Sequence, residues 1–343
     1  MIALVVASIV AAFVTSATTP WAMALAAKYG AIAIPRDRDV HSAPTPRWGG
    51  IAIYAGTLTA VALAISIRHV RSEGANGWNL QIMGLLAAGT FIAIIGILDD
   101  LRDLRPLWQI GALLGAGLIL YSAGVRIEGV THPGSVLAAL GLTAPGTVTP
   151  RTWLPFSPLV SVVVTLGWVG LVTKTVDAID GLDGLAAGVC AISAATLAIL
   201  AVISPQSGGP SIAIVAAAIA GACIGFLRYN FHPAKVFMST VGAQFLGLTL
   251  AGLSIMGAFK AAAAVSVLIP FLVLAVPIVD YGIVLVRRFL QGAPLMRADR
   301  RHLHHRLLDR GLSQRQAVCV IYAVTLALCA AAVLLFAAGQ SPA

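Results

Sequence analysis

The sequence predicts an all-α integral membrane protein with about ten transmembrane helices, on three observations. Hydrophobic residues make up 59% of its 343 residues and charged residues only 10%, against roughly 25% charged in a soluble domain. Apolar runs of about 20 residues, the length that crosses a bilayer, recur along the chain. Lys and Arg gather in alternate loops between those runs, as cytoplasmic loops do. So little charge cannot coat a water-soluble surface. A soluble enzyme, a disordered chain and a nucleic-acid-binding domain are excluded, despite a formal net charge of +9.

The runs are expected at about 2–24, 48–66, 79–98, 107–124, 157–173, 184–203, 211–228, 243–258, 262–286 and 318–338, with 1–343 as one polytopic domain. No positive residue precedes the first run, unlike a secretory leader, so it reads as a retained span. Gly and Ala inside the runs allow spanning helices to approach closely. Cys190, Cys223, Cys319 and Cys329 fall in apolar runs without paired spacing and read as small buried hydrophobes.

Placing the N-terminus outside makes 25–47, 99–106, 174–183, 229–242 and 287–317 the inside loops. With Arg228 at a span edge, they hold 17 of the 22 Lys and Arg. The excess puts both termini outside the cytoplasm. Eleven of the 13 acids and five of the seven His lie on or near the same face. Carboxylate, imidazole and guanidinium on one face suit a cytosolic polyanion with a metal ion, so the active site is expected at the cytoplasmic face.

Five segments on that face carry the chemistry. In Pro35–Gly50, which includes His41 and Arg47, Pro44 and Pro46 hold the loop extended and Gly49-Gly50 lets backbone come close. Asp99-Asp100 ends an apolar span, where two adjacent carboxylates repel unless a cation joins them. In Lys174–Gly184, Asp177, Asp180 and Asp183 stand at i, i+3 and i+6 and would share a broad face of a helix, while Gly181 and Gly184 argue for a broken one. Phe231–Gly242 reads, alone, as a short loop with one basic residue. The last loop runs from Arg287-Arg288 to His302-Leu303-His304-His305-Arg306-Leu307, where His with many Arg suits anion binding better than metal ligation.

In this order, these segments resemble the polyprenyl-phosphate N-acetylhexosamine-1-phosphate transferases (the WecA/TagO branch, related to MraY). The runs Ile179–Gly188 and His302–Leu307 carry most of the likeness, with Asp99-Asp100 and Phe231–Lys235 in support. The resemblance implies a multispan bacterial plasma-membrane enzyme that initiates a cell-envelope glycan. Such an enzyme moves a sugar 1-phosphate from a UDP-N-acetylhexosamine to undecaprenyl phosphate and releases UMP, with Mg²⁺ or Mn²⁺; homodimers occur in the family. Carried over, Asp99 and Asp100 would hold Mg²⁺ or take the proton of the lipid phosphate, and Asp180 would join the metal-side acids. Gly181, Leu182 and Asp183 would line the uridine pocket, with Phe237 against the uracil. His302, His304, His305 and Arg306 would clamp phosphate or sugar, assisted by His41 and Arg47.

Four polar positions depart from the family pattern. Thr240 stands where an aspartate is usual, Lys174 and Asp177 where Asn is usual, and Gln109 where a Lys is usual. In one account Asp177 brings the missing carboxylate to the metal, and Lys174 replaces the absent Lys or pairs with Asp177. In the other, the chain binds nucleotide sugar or lipid phosphate without turnover. A secondary transporter would place ionisable groups near mid-membrane in inverted repeats; no repeat is evident, and only Asp280 could be read that way.

Overall fold

The computed structural model describes residues 2–35, 43–71, 79–131, 153–203, 209–257, 268–292 and 303–338. Its helices are α1 (Ile2–Tyr29), α2 (Gly49–Arg71), α3 (Leu80–Arg102), α4 (Pro106–Ser122), α5 (Pro158–Ile179), α6 (Leu185–Ile203), α7 (Gly209–Asn230), α8 (Ser239–Met256), α9 (Leu268–Val273), α10 (Ala275–Leu290), α11 (Leu303–Asp309) and α12 (Gln314–Ala338). Two short antiparallel strand pairs complete the elements: β1 (Ile32–Ala33) with β2 (Thr45–Pro46), and β3 (Gly129–Thr131) with β4 (Trp153–Pro155). The chain is an all-α membrane protein.

Among the described residues, eight helices are long and apolar enough to span a bilayer: α1, α2, α3, α5, α6, α7, α8 and α12. The segment expected at 107–124 forms α4, a shorter apolar helix of 17 residues. The segment expected at 262–286 is broken in its described part, with α9 ending at Val273 and α10 starting at Ala275. Pro277 is the local cause, because it has no N–H to offer the carbonyl of Val273. That carbonyl instead accepts the Ser193 hydroxyl of α6 at 2.8 Å, which satisfies a backbone group that lipid could not.

Local chemistry sets the helix ends. The Asn79 side chain accepts the Ile82 N–H at 2.8 Å and starts α3. Ser157 caps α5 ahead of Pro158 at its first turn. α7 and α8 are the most enclosed spans, while α1 and α12 face outward. α1 lies parallel to α7 because Gly221 and Gly225 bring the α7 backbone onto the carbonyls of Ser8 and Ala12, leaving no room for side chains. Side-chain hydrogen bonds tie other helices, including Trp168 Nε1 to Ser254 Oγ at 2.9 Å and the Tyr54 and Thr90 hydroxyls at 2.9 Å. Cys190, Cys223 and Cys329 are buried as expected, but Cys319 is exposed on the outer face of α12.

The alternation of helices sends one set of ends to one face. α1, α3, α5 and α7 end there, and α2, α4, α6, α8 and α12 begin there. The first and fourth chemistry-bearing segments are stitched together on this face through their backbones. Phe237 N–H donates to Pro46 O at 2.9 Å, Gly49 N–H to Phe237 O at 3.0 Å and Gly50 N–H to Met238 O at 3.2 Å. A β-carbon at Gly50 would overlap the backbone of Gly242. Gly50→Ala is therefore expected to destabilise the protein by about 3 kcal/mol, because two backbones must separate; thermal unfolding in detergent measures it, and an unchanged Tm counts against the contact.

Candidate active site

The paired acids occupy the last turn of α3, both buried. Asp99 Oδ1 accepts the Leu104 N–H at 3.0 Å and the Gln109 Nε2–H at 2.9 Å. Asp103 N–H closes the helix on the Asp99 carbonyl, with Asp103 in the left-handed region at φ 45°. Asp100 Oδ1 accepts the Ser239 hydroxyl at 2.5 Å, and its carboxylate lies near the Thr240 N–H and the Arg47 charge. Its other oxygen, Oδ2, is buried without a hydrogen-bond partner in the described structure. A buried carboxylate oxygen left unpaired carries a desolvation penalty that a cation would remove.

The third segment breaks where its glycines suggest. α5 ends at Ile179 and Asp180 caps it, so the three acids do not share one helical face. Asp177, still helical, accepts the Lys174 ammonium at 3.1 Å. Burial pushes the Asp180 carboxyl up to about 7, with Asp177, Asp100 and Asp183 adding negative charge and the Ser239 N–H opposing them. Asp183 Oδ2 bonds His232 Nδ1 at 2.7 Å and accepts the Ala234 N–H at 3.0 Å, which ties the third segment to the fourth. Leu182 is buried, and the His304 ring sits so close over Gly181 that a β-carbon there would lie 2.7 Å from Nε2.

The fourth segment packs against these acids. Ser239 and Thr240 form the first turn of α8, whose free N–H groups and dipole favour anions at this end. These donors meet Asp100 and Asp180, so three helix termini converge on two carboxylates. Phe237 is half-buried and joined to Pro46 and Gly49 by its backbone. In the last segment, Asp280 Oδ1 accepts the Leu303 N–H at 2.6 Å and pins the start of α11. His304 is buried with its ring 4.4 Å from that of His305, while Arg306 is exposed. His41 and His302 lie outside the described residues.

Two contributors escaped the sequence reading. The Ser239 hydroxyl bonds Asp100, and its backbone N–H lies near Asp180. Buried Asn230 accepts the Gly184 N–H at 3.1 Å and donates to Val236 O at 2.9 Å, joining the third and fourth segments. A serine next to Thr240 and an asparagine closing an apolar run carry no spacing signal, because their partners are distant in sequence.

Among the described residues, no group of three or more His, Cys, Asp or Glu is placed to hold a metal ion. The pair Asp100 and Asp180, with one oxygen unpaired, fits a hard divalent cation of the kind that keeps several waters and takes only one or two carboxylates.

A family model described as glycosyl transferase family 4 matches residues 82–258. A Bacillus subtilis protein named "Probable undecaprenyl-phosphate N-acetylglucosaminyl 1-phosphate transferase" is 34% identical over 94% of this chain and 82% of its own length. The decaprenyl-phosphate N-acetylglucosaminephosphotransferase of Mycolicibacterium smegmatis is 33% identical over 93% of this chain and 79% of its own. A phospho-N-acetylmuramoyl-pentapeptide-transferase of Mycobacterium sp. (strain KMS) is 30% identical over 62% of this chain and 63% of its own.

Proposed function

The chain belongs to the polyprenyl-phosphate N-acetylhexosamine-1-phosphate transferases, glycosyl transferase family 4, and from that premise we propose that it transfers GlcNAc 1-phosphate from UDP-GlcNAc to undecaprenyl phosphate, releasing UMP. The observation that carries the reading is the Asp100 carboxylate, buried with Oδ2 unpaired beside Asp180.

An oxygen of the lipid phosphate attacks the β-phosphorus of the donor. The bond from that phosphorus to the bridging oxygen breaks, and the α-phosphate leaves as UMP. Asp100 and Asp180 would hold Mg²⁺, which when bound neutralises the pyrophosphate and stabilises charge on the leaving oxygen. Asp99, held by Gln109 and Leu104, accepts the proton of the lipid phosphate on its other oxygen. Arg47, His304, His305 and Arg306 supply positive or hydrogen-bonding groups to phosphate and sugar. The Lys and Arg excess in the loops on its side supports a site at the cytoplasmic face of the bacterial plasma membrane.

The test uses purified chain in lipid nanodiscs with Mg²⁺, UDP-GlcNAc and undecaprenyl phosphate. UMP and a lipid-linked pyrophosphoryl sugar are expected in equal amounts. No UMP from this or any other UDP-N-acetylhexosamine overturns the reading. Thr240 in place of an acid favours one rival, a protein that binds nucleotide sugar without turnover; donor binding with no UMP would identify it.

A second measurement needs no turnover. The Asp180 carboxyl rises to about 7 in the folded chain from 3.8. A raised acid pKa means the folded state prefers the protonated form, so its contribution to stability is lost as pH rises through about 7. Cation-free protein is expected to lose about 1 kcal/mol between pH 6 and 8, roughly 2 °C in Tm. Saturating Mg²⁺ removes the fall. A pH-independent Tm without cation contradicts this placement of Asp180.

A further inference from the structure

The four polar positions Asp99, Gln109, Lys174 and Asp177 form one unbroken chain of hydrogen bonds across three helices. The Lys174 ammonium on α5 donates to Asp177 Oδ2 at 3.1 Å and to Gln109 Oε1 at 3.0 Å. The Gln109 amide on α4 donates from Nε2 to Asp99 Oδ1 at 2.9 Å, with Leu104 O at 3.5 Å as a second acceptor. An ammonium can only donate, so Lys174 forces the amide oxygen toward itself. The amide nitrogen then faces Asp99. A flipped amide would set donor against donor at Lys174 and acceptor against acceptor at Asp99 and Leu104, so every contact supports a single orientation.

We infer that Gln109 and Lys174 are positioning residues for Asp99, and that Asp177 is the counter-ion that holds Lys174. With Oδ1 fixed by Gln109 and the Leu104 N–H, the Asp99 carboxylate cannot rotate and Oδ2 is kept for the reacting phosphate. Asp177 spends its charge on Lys174 and does not substitute for a carboxylate at residue 240. Both Lys174 and Asp177 are about one-quarter exposed, so their pairing alone adds little; their effect comes through the Gln109 amide. This inference rests on the transferase reading for its role in turnover, and on geometry alone for the coupling.

Two arms test it. In the kinetic arm, K174M and Q109L each lower kcat by about 10- to 100-fold, with KM for UDP-GlcNAc unchanged within about twofold, as loss of a group that orients an active carboxylate does. The exchange Q109K/K174Q puts the ammonium one bond from Asp99 and recovers most of kcat. Wild-type kcat in K174M overturns the proposal, and so does a lowered kcat that the exchange fails to recover, since Lys174 would then act on substrate directly. The second arm needs no activity and therefore survives failure of the transferase reading. The Tm changes of D99N and K174M in nanodiscs are expected to be non-additive by about 2 °C or more when Gln109 is present. They add in a Q109L background. Additivity with Gln109 present overturns the coupling even in a chain that releases no UMP.

Discussion

Asp100→Asn is expected to lower kcat roughly a thousandfold while leaving the protein folded and slightly more stable. The carboxylate is buried, and of its two oxygens only Oδ1 has a hydrogen-bond partner, the Ser239 hydroxyl. An asparagine oxygen keeps that bond. The orphaned Oδ2 becomes an uncharged amide nitrogen, which relieves repulsion from Asp99 and Asp180. Losing a charged ligand of the cation that would neutralise charge in the transition state has effects of about this size, whereas relief of a crowded carboxylate raises Tm by about 2 °C. Steady-state kinetics and thermal unfolding of the same preparation check both halves. Retention of more than about a tenth of kcat removes Asp100 from the chemistry. A large fall in Tm shows that its charge holds the fold together instead.

Thr240→Asp is expected to cut the Mg²⁺ concentration for half-maximal activity about tenfold, since affinity for hard cations follows the number of charged ligands. Residue 240 sits in the first turn of α8, partly exposed, with its N–H near Asp100. A carboxylate there gains from the helix N-terminus and lies next to the proposed cation pair. In the absence of cation the same substitution adds a third negative charge beside Asp100 and Asp180, so it should lower the Tm by a few degrees, reversed by Mg²⁺. An unchanged Mg²⁺ requirement separates Thr240 from the cation site. It would also mean that the usual family acid and the residue here serve different ends.

The spans were legible because each is a local property of composition, and most expected segments contain one described helix. The ninth was not. Whether a proline inside an apolar run bends, breaks or is absorbed depends on what satisfies the freed carbonyl, and Ser193 comes from a helix some 80 residues away. The paired acids close an apolar run in the sequence, and they stand in the last turn of α3. The breaking of the third segment at its glycines was also legible, because Gly184 takes φ 80°. The partners of its acids were not, since Asp177, Asp180 and Asp183 look alike in a spacing pattern. One pairs with a lysine a helical turn away, one caps a helix among other charges and one locks onto His232.

The departures at Gln109, Lys174 and Asp177 show the same division. Read along the chain, they are three separate changes to a pattern; in the bundle they are neighbours in one hydrogen-bonded line to Asp99. By itself the sequence determined that the chain is a membrane-spanning helical protein, that its charge collects on one face, and which family it resembles. Those follow from apolar length, from the cost of charge in lipid and from short runs of consecutive residues. Only the tertiary structure decided which carboxylate is neutralised by a lysine, which is tied to a histidine and which is left with an unpaired oxygen. Those choices depend on helix ends brought together from positions up to 139 residues apart, and hydrogen bonds act over about 3 Å, a range that spacing along the chain does not encode.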